Sequence, residues 1–310
     1  MNNDPACVNN DPWQEAMRRG DFGAAWQISD ALLPAARAQD HRVLPRHMQN
    51  IWDGRSVAGK RVLARCYHGL GDTIQFIRYA ALLKQLAAQV IVWVQPSLIP
   101  LLRGVVGIDQ LLPLHDGTPE AEYDVDLELN ELPYVFRTTI DNIPADVPYL
   151  HVDPAPLPNA LGTIRIGLIW QSGDWDASRS IPFKLLQPLS KLPGIEWHIL
   201  QRDAHLAGWN GDFGVLSGGD NPLDDARLMR ALDLVISVDT MTAHLSGALG
   251  QPTWTLLPFN ADWRWMNDHD DSPWYPTMRL FRQKQEGDWA GVVDEVTRSI
   301  ALARLQHQSR

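Results

Sequence analysis

Two cysteines in 310 residues, Cys7 and Cys66, leave no disulfide framework and no cysteine-based zinc pattern, and a reducing compartment fits that scarcity. The ten histidines are scattered without the close spacing of a metal site. Long apolar runs are missing too. The most hydrophobic stretch, residues 80–106, is interrupted by Lys84, Gln85, Gln95, Pro96, Pro100 and Arg103, and the opening residues MNNDPACVNNDPWQEAMRR contain no apolar leader core. The expectation is a cytoplasmic protein, with peripheral association at the inner face of a membrane left open. Basic charge is in deficit, with 27 Lys and Arg against 37 Asp and Glu and a net charge of -10. No general field attracts a polyanion, so nucleic acid is not an expected partner.

What is present suits two α/β domains: 310 residues, 45% of them apolar, are enough for two cores. Thirteen tryptophans are many for this length; most belong in cores, while aromatic faces also stack on sugar rings and bases. Residues 12–36 read as two short amphipathic helices joined at Gly20-Asp21, a single unit of tetratricopeptide type with no second copy. Such a hairpin cannot bury its apolar face alone and is expected to dock on the N-terminal domain or on a protein partner. From residue 61 short β-rich runs alternate with helical ones (RVLARCY, TIQFIRYAALLKQLAA, QVIVWVQ, PSLIPLLRGV, IDQLLPL, YDVDLEL), the pattern of a parallel sheet with helices on its faces. Residues 142–162 hold five prolines and no helical period, so they read as a linker. The alternation then resumes through IRIGLIW, IEWHILQ, LDLVISV and PTWTLLP to a last helix from about Asp288. The expected domains are a helical hairpin at 1–50, an α/β domain at 51–155 and a second at 156–310 whose final helix is free to cross back.

Two constellations stand at strand ends. In HGLGDTIQFIRY, Gly69 and Gly71 supply turn dihedrals, and Asp72 either caps the following helix or presents a carboxylate to a ligand; His68 assists there or faces solvent. In LDLVISVDTMTAHLSGALG, Asp239 and Thr240 close a buried run and open a small-residue helix. Its free N–H groups favour an anion, with Thr240, Thr242 and His244 able to add donors. The plainer reading makes Asp239 or Thr240 an N-cap and His244 a satisfied polar residue. Gln171 and Ser172 follow the strand IRIGLIW, and Gln201 ends IEWHILQ, where it reaches toward a base or ribose. Asp262, Trp263, Arg264 and Trp265, with Trp274 and Tyr275, form either an aromatic wall or interdomain packing. A dinucleotide-binding oxidoreductase is disfavoured, since the residue three after Gly71 is Ile74 rather than glycine.

The stretches GLGDTIQFIRYA, RIGLIWQSGD, SRSIP, LDLVISVDTMTAHLSGALGQP and DWRWMNDHDDSPWYPTMRLFRQ together resemble glycosyltransferase family 9, the ADP-heptose:lipopolysaccharide heptosyltransferases, and especially relatives in which such a domain follows tetratricopeptide repeats. The resemblance covers about four fifths of the chain. It implies a GT-B fold: two Rossmann-like domains facing a central cleft, the first holding the acceptor and the second a nucleotide-diphosphate sugar. It also implies an inverting transfer without a metal or other cofactor, the nucleotide sugar being a co-substrate. Asp72 takes the place of the catalytic carboxylate, with His68, Gly69 and Gly71 on the acceptor side. Thr240, Met241, Thr242, Ala243 and His244 match the diphosphate-binding turn, beside Asp239, Gln171, Ser172 and Gln201. Heptosyl-transferring members carry a lysine in the loop after the first strand of the second domain; here QSGDWDASRSIP offers Arg179, which clamps phosphate bidentately where lysine acts as a point charge. The donor sugar is therefore heptose or a related one, and the acceptor a glycan, a lipid-linked glycan such as a lipopolysaccharide core, or a protein. The alternative from another class is a catalytically degenerate GT-B protein serving as a binding or docking module.

Overall fold

In a computed structural model, residues 11–38, 44–49, 51–158, 162–173, 176–267 and 269–308 are described; Cys7 and Asp174 lie outside them. The chain forms two units, one of residues up to Ala145 together with 262–269, the other of residues 146–261 and those from Asp270 onward. The division thus falls at Ala145 rather than at residue 155, within the proline-rich passage, and a short piece of the later sequence belongs to the first unit.

The first sheet contains β1 (Arg61–Arg65), β2 (Gln89–Val94), β3 (Gln110–Pro113) and β4 (Val125–Glu128) in the order β3-β2-β1-β4, every pair parallel. The interior of β1 and nearly all of β2 are buried, as continuous apolar runs of a two-faced sheet require. Ahead of the sheet, α1 (Pro12–Arg18) is capped by Asp11, whose side chain accepts from Trp13 N. Gly20, at φ 74°, reverses the chain into α2 (Phe22–Ala38). This pair docks on its own unit: Ala16, Met17, Phe22, Ala25 and Trp26 are buried, Trp26 Nε1 donates to the Thr138 carbonyl at 2.6 Å, and Arg137 pairs with Asp30. The segment 262–269 closes the same face. Trp263 meets Trp13 edge-on at 5.4 Å and stacks on Phe76 at 6.4 Å, and Asn267 N donates to the Arg18 carbonyl.

The run 73–88, expected as one helix, is divided into α3 (Leu70–Phe76), a tighter turn at Ile77–Tyr79 and α4 (Ala80–Leu86). The physical reason lies in the turn's side chains. Arg78 Nε takes the Gln75 carbonyl at 2.8 Å, the acceptor a continuous helix would give to the Tyr79 N–H, while the buried Tyr79 hydroxyl shares a hydrogen bond with Thr138. Two short helices, α5 (Ile99–Leu102) and α6 (Leu132–Val135), complete the unit.

The second sheet contains β5 (Ile164–Ile169), β6 (Ile195–Ile199), β7 (Val215–Leu216), β8 (Leu234–Val238), β9 (Thr253–Leu257), β10 (Asp271–Ser272) and β11 (Tyr275–Arg282), in the order β10-β11-β9-β8-β5-β6-β7. All pairs are parallel except β10 with β11. From β7 to β11 this is the doubly wound order, with β5 first in sequence and central in space. Its helices are α7 (Gln187–Ser190), α8 (Pro222–Met229), α9 (Met241–Ala248) and α10 (Trp289–Gln308). Helix α10 does not leave its unit: Trp289, Val292, Val293, Val296 and Ile300 pack into the core built by Ile166, Leu168, Trp170 and Phe281, which fixes its apolar stripe there. No helix among the described residues is long and apolar enough to cross a membrane.

Candidate functional site

In each sheet the order reverses beside its first strand, between β1 and β4 and between β5 and β8. The carboxyl ends of strands at such a reversal are where an open α/β sheet takes a ligand. Both constellations read from the sequence lie at those ends.

In the first unit, β1 runs into Cys66, Tyr67, His68 and Gly69 before α3 begins. Glu128, the last residue of β4 and buried, receives the Tyr67 N–H (2.9 Å), the His68 N–H (3.3 Å) and His68 Nδ1 (2.8 Å). The other imidazole nitrogen, Nε2, lies 3.0 Å from Asn130 Nδ2. Gln95, just past β2, donates to the His68 carbonyl and accepts from the Thr73 hydroxyl. His68 therefore does not simply face solvent: the ends of three strands hold it. Burial opposes its protonation, but the hydrogen bond and charge of Glu128 outweigh burial and raise its pKa, with Asp72 helping and Arg264 opposing. Burial likewise raises Glu128 against the pull of His68, and pushes Glu131, which accepts the Glu128 and Trp52 N–H groups, up to about 7. The Cys66 thiol is buried and pushed well up by that burial, so it is a poor nucleophile.

Asp72 does both things the sequence allowed. Its Oδ2 accepts the Gly69 N–H at 2.9 Å, closing the first turn of α3, and its Oδ1 meets Arg264 Nη2 at 2.5 Å. Gly71 is the second residue of α3 and partly exposed.

In the second unit, Gln201 follows β6 and its Oε1 accepts the N–H groups of Trp170 (3.2 Å) and Gln171 (2.9 Å), shaping the turn that leaves β5. Ser172 is buried and bonded within its loop, to the Ser180 hydroxyl and the Asp176 carbonyl. Arg179 Nη1 donates to the Asp239 carbonyl at 3.0 Å and lies 3.7 Å from its carboxylate, with the Asp176 carboxylate 3.6 Å from Nε. This cation is thereby placed at the end of β8, directly before α9. Thr240 is the N-cap of α9, its hydroxyl accepting the Thr242 N–H. Thr240, Met241 and Thr242 are partly exposed, whereas Ala243 and His244 are buried. His244 Nδ1 shares a 2.9 Å hydrogen bond with the Tyr275 hydroxyl on β11, so this imidazole ties the helix to the sheet. Among the described residues no group of three or more His, Cys, Asp or Glu could hold a metal ion.

Sequence reading missed Glu128, Asn130 and Gln95, and placed Arg264 only in an aromatic wall or in interdomain packing. An acid closing the strand that pairs with β1 was the available signal for Glu128; nothing local in DWRW points Arg264 at Asp72.

Two parallel α/β units, each with a polar cluster at its strand reversal, define the GT-B class of fold. Solved structures agree with it. The glycosyl transferase family 9 protein of Veillonella parvula superposes with a TM-score of 0.57 at 12% identity, covering 81% of this chain and 99% of that one. The ADP-heptose lipopolysaccharide heptosyltransferase II of E. coli gives 0.54 at 14% identity over 80% and 99%. At such identities the likeness establishes the fold. In sequence the chain is 26% identical to Protein FlbA of Caulobacter vibrioides, covering 91% of this chain and 52% of that protein, so it spans about half the length of that curated relative. No protein-family model matches the chain.

Proposed function

We propose that this protein is a heptosyltransferase-like glycosyltransferase that moves heptose or a related sugar from a nucleotide diphosphate to an acceptor hydroxyl. The observation that carries the reading is the amino end of α9. It places the partly exposed residues Thr240, Met241 and Thr242 at the strand reversal of the second unit, with the Thr242 side chain in its first turn and the Arg179 guanidinium beside Asp239. A helix N-terminus with a nearby cation suits a diphosphate, whose negative charge grows as the sugar leaves. In the first unit, Asp72 is the base: the acceptor oxygen bonds to the anomeric carbon as its proton passes to the carboxylate, the carbon–oxygen bond to the diphosphate breaks, and configuration inverts. The helix dipole and donors do the work of a metal in this reading.

Lipopolysaccharide or another glycan is the acceptor class of this reading; the E. coli neighbour is itself a lipopolysaccharide heptosyltransferase. The helical pair α1–α2 fits a kinship with the tetratricopeptide-linked relatives, and the free, buried Cys66 suits the cytoplasm.

The experiment is thermal stabilisation by a panel of nucleotide diphosphates and their sugars. A ligand at 100 times its Kd adds about 2.7 kcal/mol. Thr242→Ala is the matching variant, since His244→Ala would remove the hydrogen bond to the Tyr275 hydroxyl and confuse binding with packing. One nucleotide that stabilises the wild type and loses its effect in the variant supports the donor site. No shift with any of them, in a folded protein, overturns the transferase reading in favour of a docking module.

A further inference from the structure

The clearest unexplained feature of the first unit is where its guanidinium comes from. Arg264 follows β9 of the second sheet in sequence, yet it belongs to the first unit, on a turn of Trp263–Trp265 that begins at Asp262. Its side chain is 14% exposed and its fork is spent on three separate acceptors: Nε on Gln75 Oε1 at 2.8 Å, Nη1 on Asp262 Oδ1 at 2.9 Å and Nη2 on Asp72 Oδ1 at 2.5 Å. Gln75 is fully buried, and the Trp263 and Phe76 rings lie 4.6 and 5.4 Å from the guanidinium carbon. The cation is therefore fixed by groups other than Asp72, and Asp72 by the Gly69 N–H, before the two meet. An exposed pair of flexible side chains has neither restraint. A lysine carries its donors on a single nitrogen and does not reproduce the spread of the guanidinium over these three acceptors.

We propose that Arg264 is the positioning residue of Asp72. It fixes the plane of that carboxylate, so that a remaining lone pair meets the acceptor hydroxyl. The inference rests on the reading of Asp72 as the base, and it adds a segment from the second half of the sequence to the acceptor-side chemistry. The charged groups around Asp72 are Arg264 itself, His68, whose protonation responds to Asp72, Glu128 bonded to His68, and Asp262 on the other side of the guanidinium.

The test is the split between kcat and donor KM for sugar transfer by the full chain, with the nucleotide sugar that stabilises it. In Arg264→Gln kcat should fall about tenfold or more with donor KM unchanged, and Arg264→Lys should not restore it. Asp262→Asn, which keeps an oxygen for the Arg264 backbone N–H but loosens one anchor of the guanidinium, should lower kcat by a smaller factor, again with donor KM unchanged. The second variant preserves the cap and so stands in if the first fails to fold. An unchanged kcat in the folded variants, a fall matched by a rise in donor KM, or full rescue by Arg264→Lys overturns the proposal. Full transfer by Asp72→Asn, or none by the wild type, overturns the reading beneath; loss of transfer in Asp72→Asn with an unchanged kcat in Arg264→Gln overturns this inference alone.

Discussion

His68, Glu128 and Glu131 show what single side chains do at the end of β4. Burial alone would push the His68 pKa down, and chiefly the Glu128 carboxylate, with Asp72 adding to it, reverses that. Glu128→Gln should therefore bring His68 below the ordinary value of about 6.5, read from its imidazole proton shifts on titration. An unchanged His68 would remove Glu128 from this role. Because the folded value is raised, the contribution of His68 to stability is whole below its unfolded pKa and is lost as pH climbs through the folded one. Glu131 is also raised, from 4.5 to about 7, so its contribution is whole below 4.5 and fades toward 7. Glu131→Gln keeps an acceptor for the Glu128 and Trp52 N–H groups but does not titrate. Between pH 4.5 and 7.5 the wild type should lose about 3 kcal/mol more than this variant, measured by urea unfolding at both pH values. Equal losses would count against a desolvated carboxyl at Glu131. The helix-start roles of Asp72 and Thr240 were legible in the sequence because each sits in a turn signature. Glu128 and Asn130 were not, since an acid and an amide near a strand end look the same whether they face water or hold an imidazole.

Among the elements, the central strands were legible because they are buried and write near-continuous apolar runs, and α9 because its small residues pack against a sheet; the two-residue β7 and β10 were not. Gly247 shows the latter: a β-carbon there would press into the Tyr275 ring. The break at Ile77–Tyr79 was not legible, for it depends on Thr138, far along the chain, and on Arg78 turning back onto its own helix. Two glycines at positive φ separate backbone conformation from close approach. Gly107, at φ 95°, has the backbone of Ala80 and Ala81 against it, while Gly59, at φ 67°, has open space. Gly59→Ala should cost about 1 kcal/mol from conformation alone. Gly107→Ala should cost at least about 1–3 kcal/mol more from overpacking against backbone that cannot rotate away. Thermal midpoints of the two variants check this; equal shifts would mean that α4 yields.

For the whole molecule, the two-sheet plan was legible from alternation and the proline-rich passage, but not the return of residues 262–269 to the first unit. That exchange leaves no mark in composition or periodicity; it is a matter of which surface Trp263 covers. A fragment ending at Ala145 lacks the Trp263 contacts with Trp13 and Phe76 and the Asn267 bond to Arg18. It should melt several degrees below the same fragment carrying 262–269 on a flexible linker. Matching melting curves would make the segment an ornament of the first unit rather than a part of it.

The same exchange orders events during translation. Domains usually fold as they leave the ribosome, the amino-terminal one first. Here the earlier-made unit must wait for a segment that follows β9, on the order of ten seconds later at ordinary elongation speed. Through that interval the face of Trp13 and Phe76 stays uncovered, and Asp72 stands without its arginine. The nascent chain thus completes the cluster around Asp72 only after most of the second sheet has been synthesised, and a ribosome stalled short of residue 264 would hold a first unit that is built but not armed.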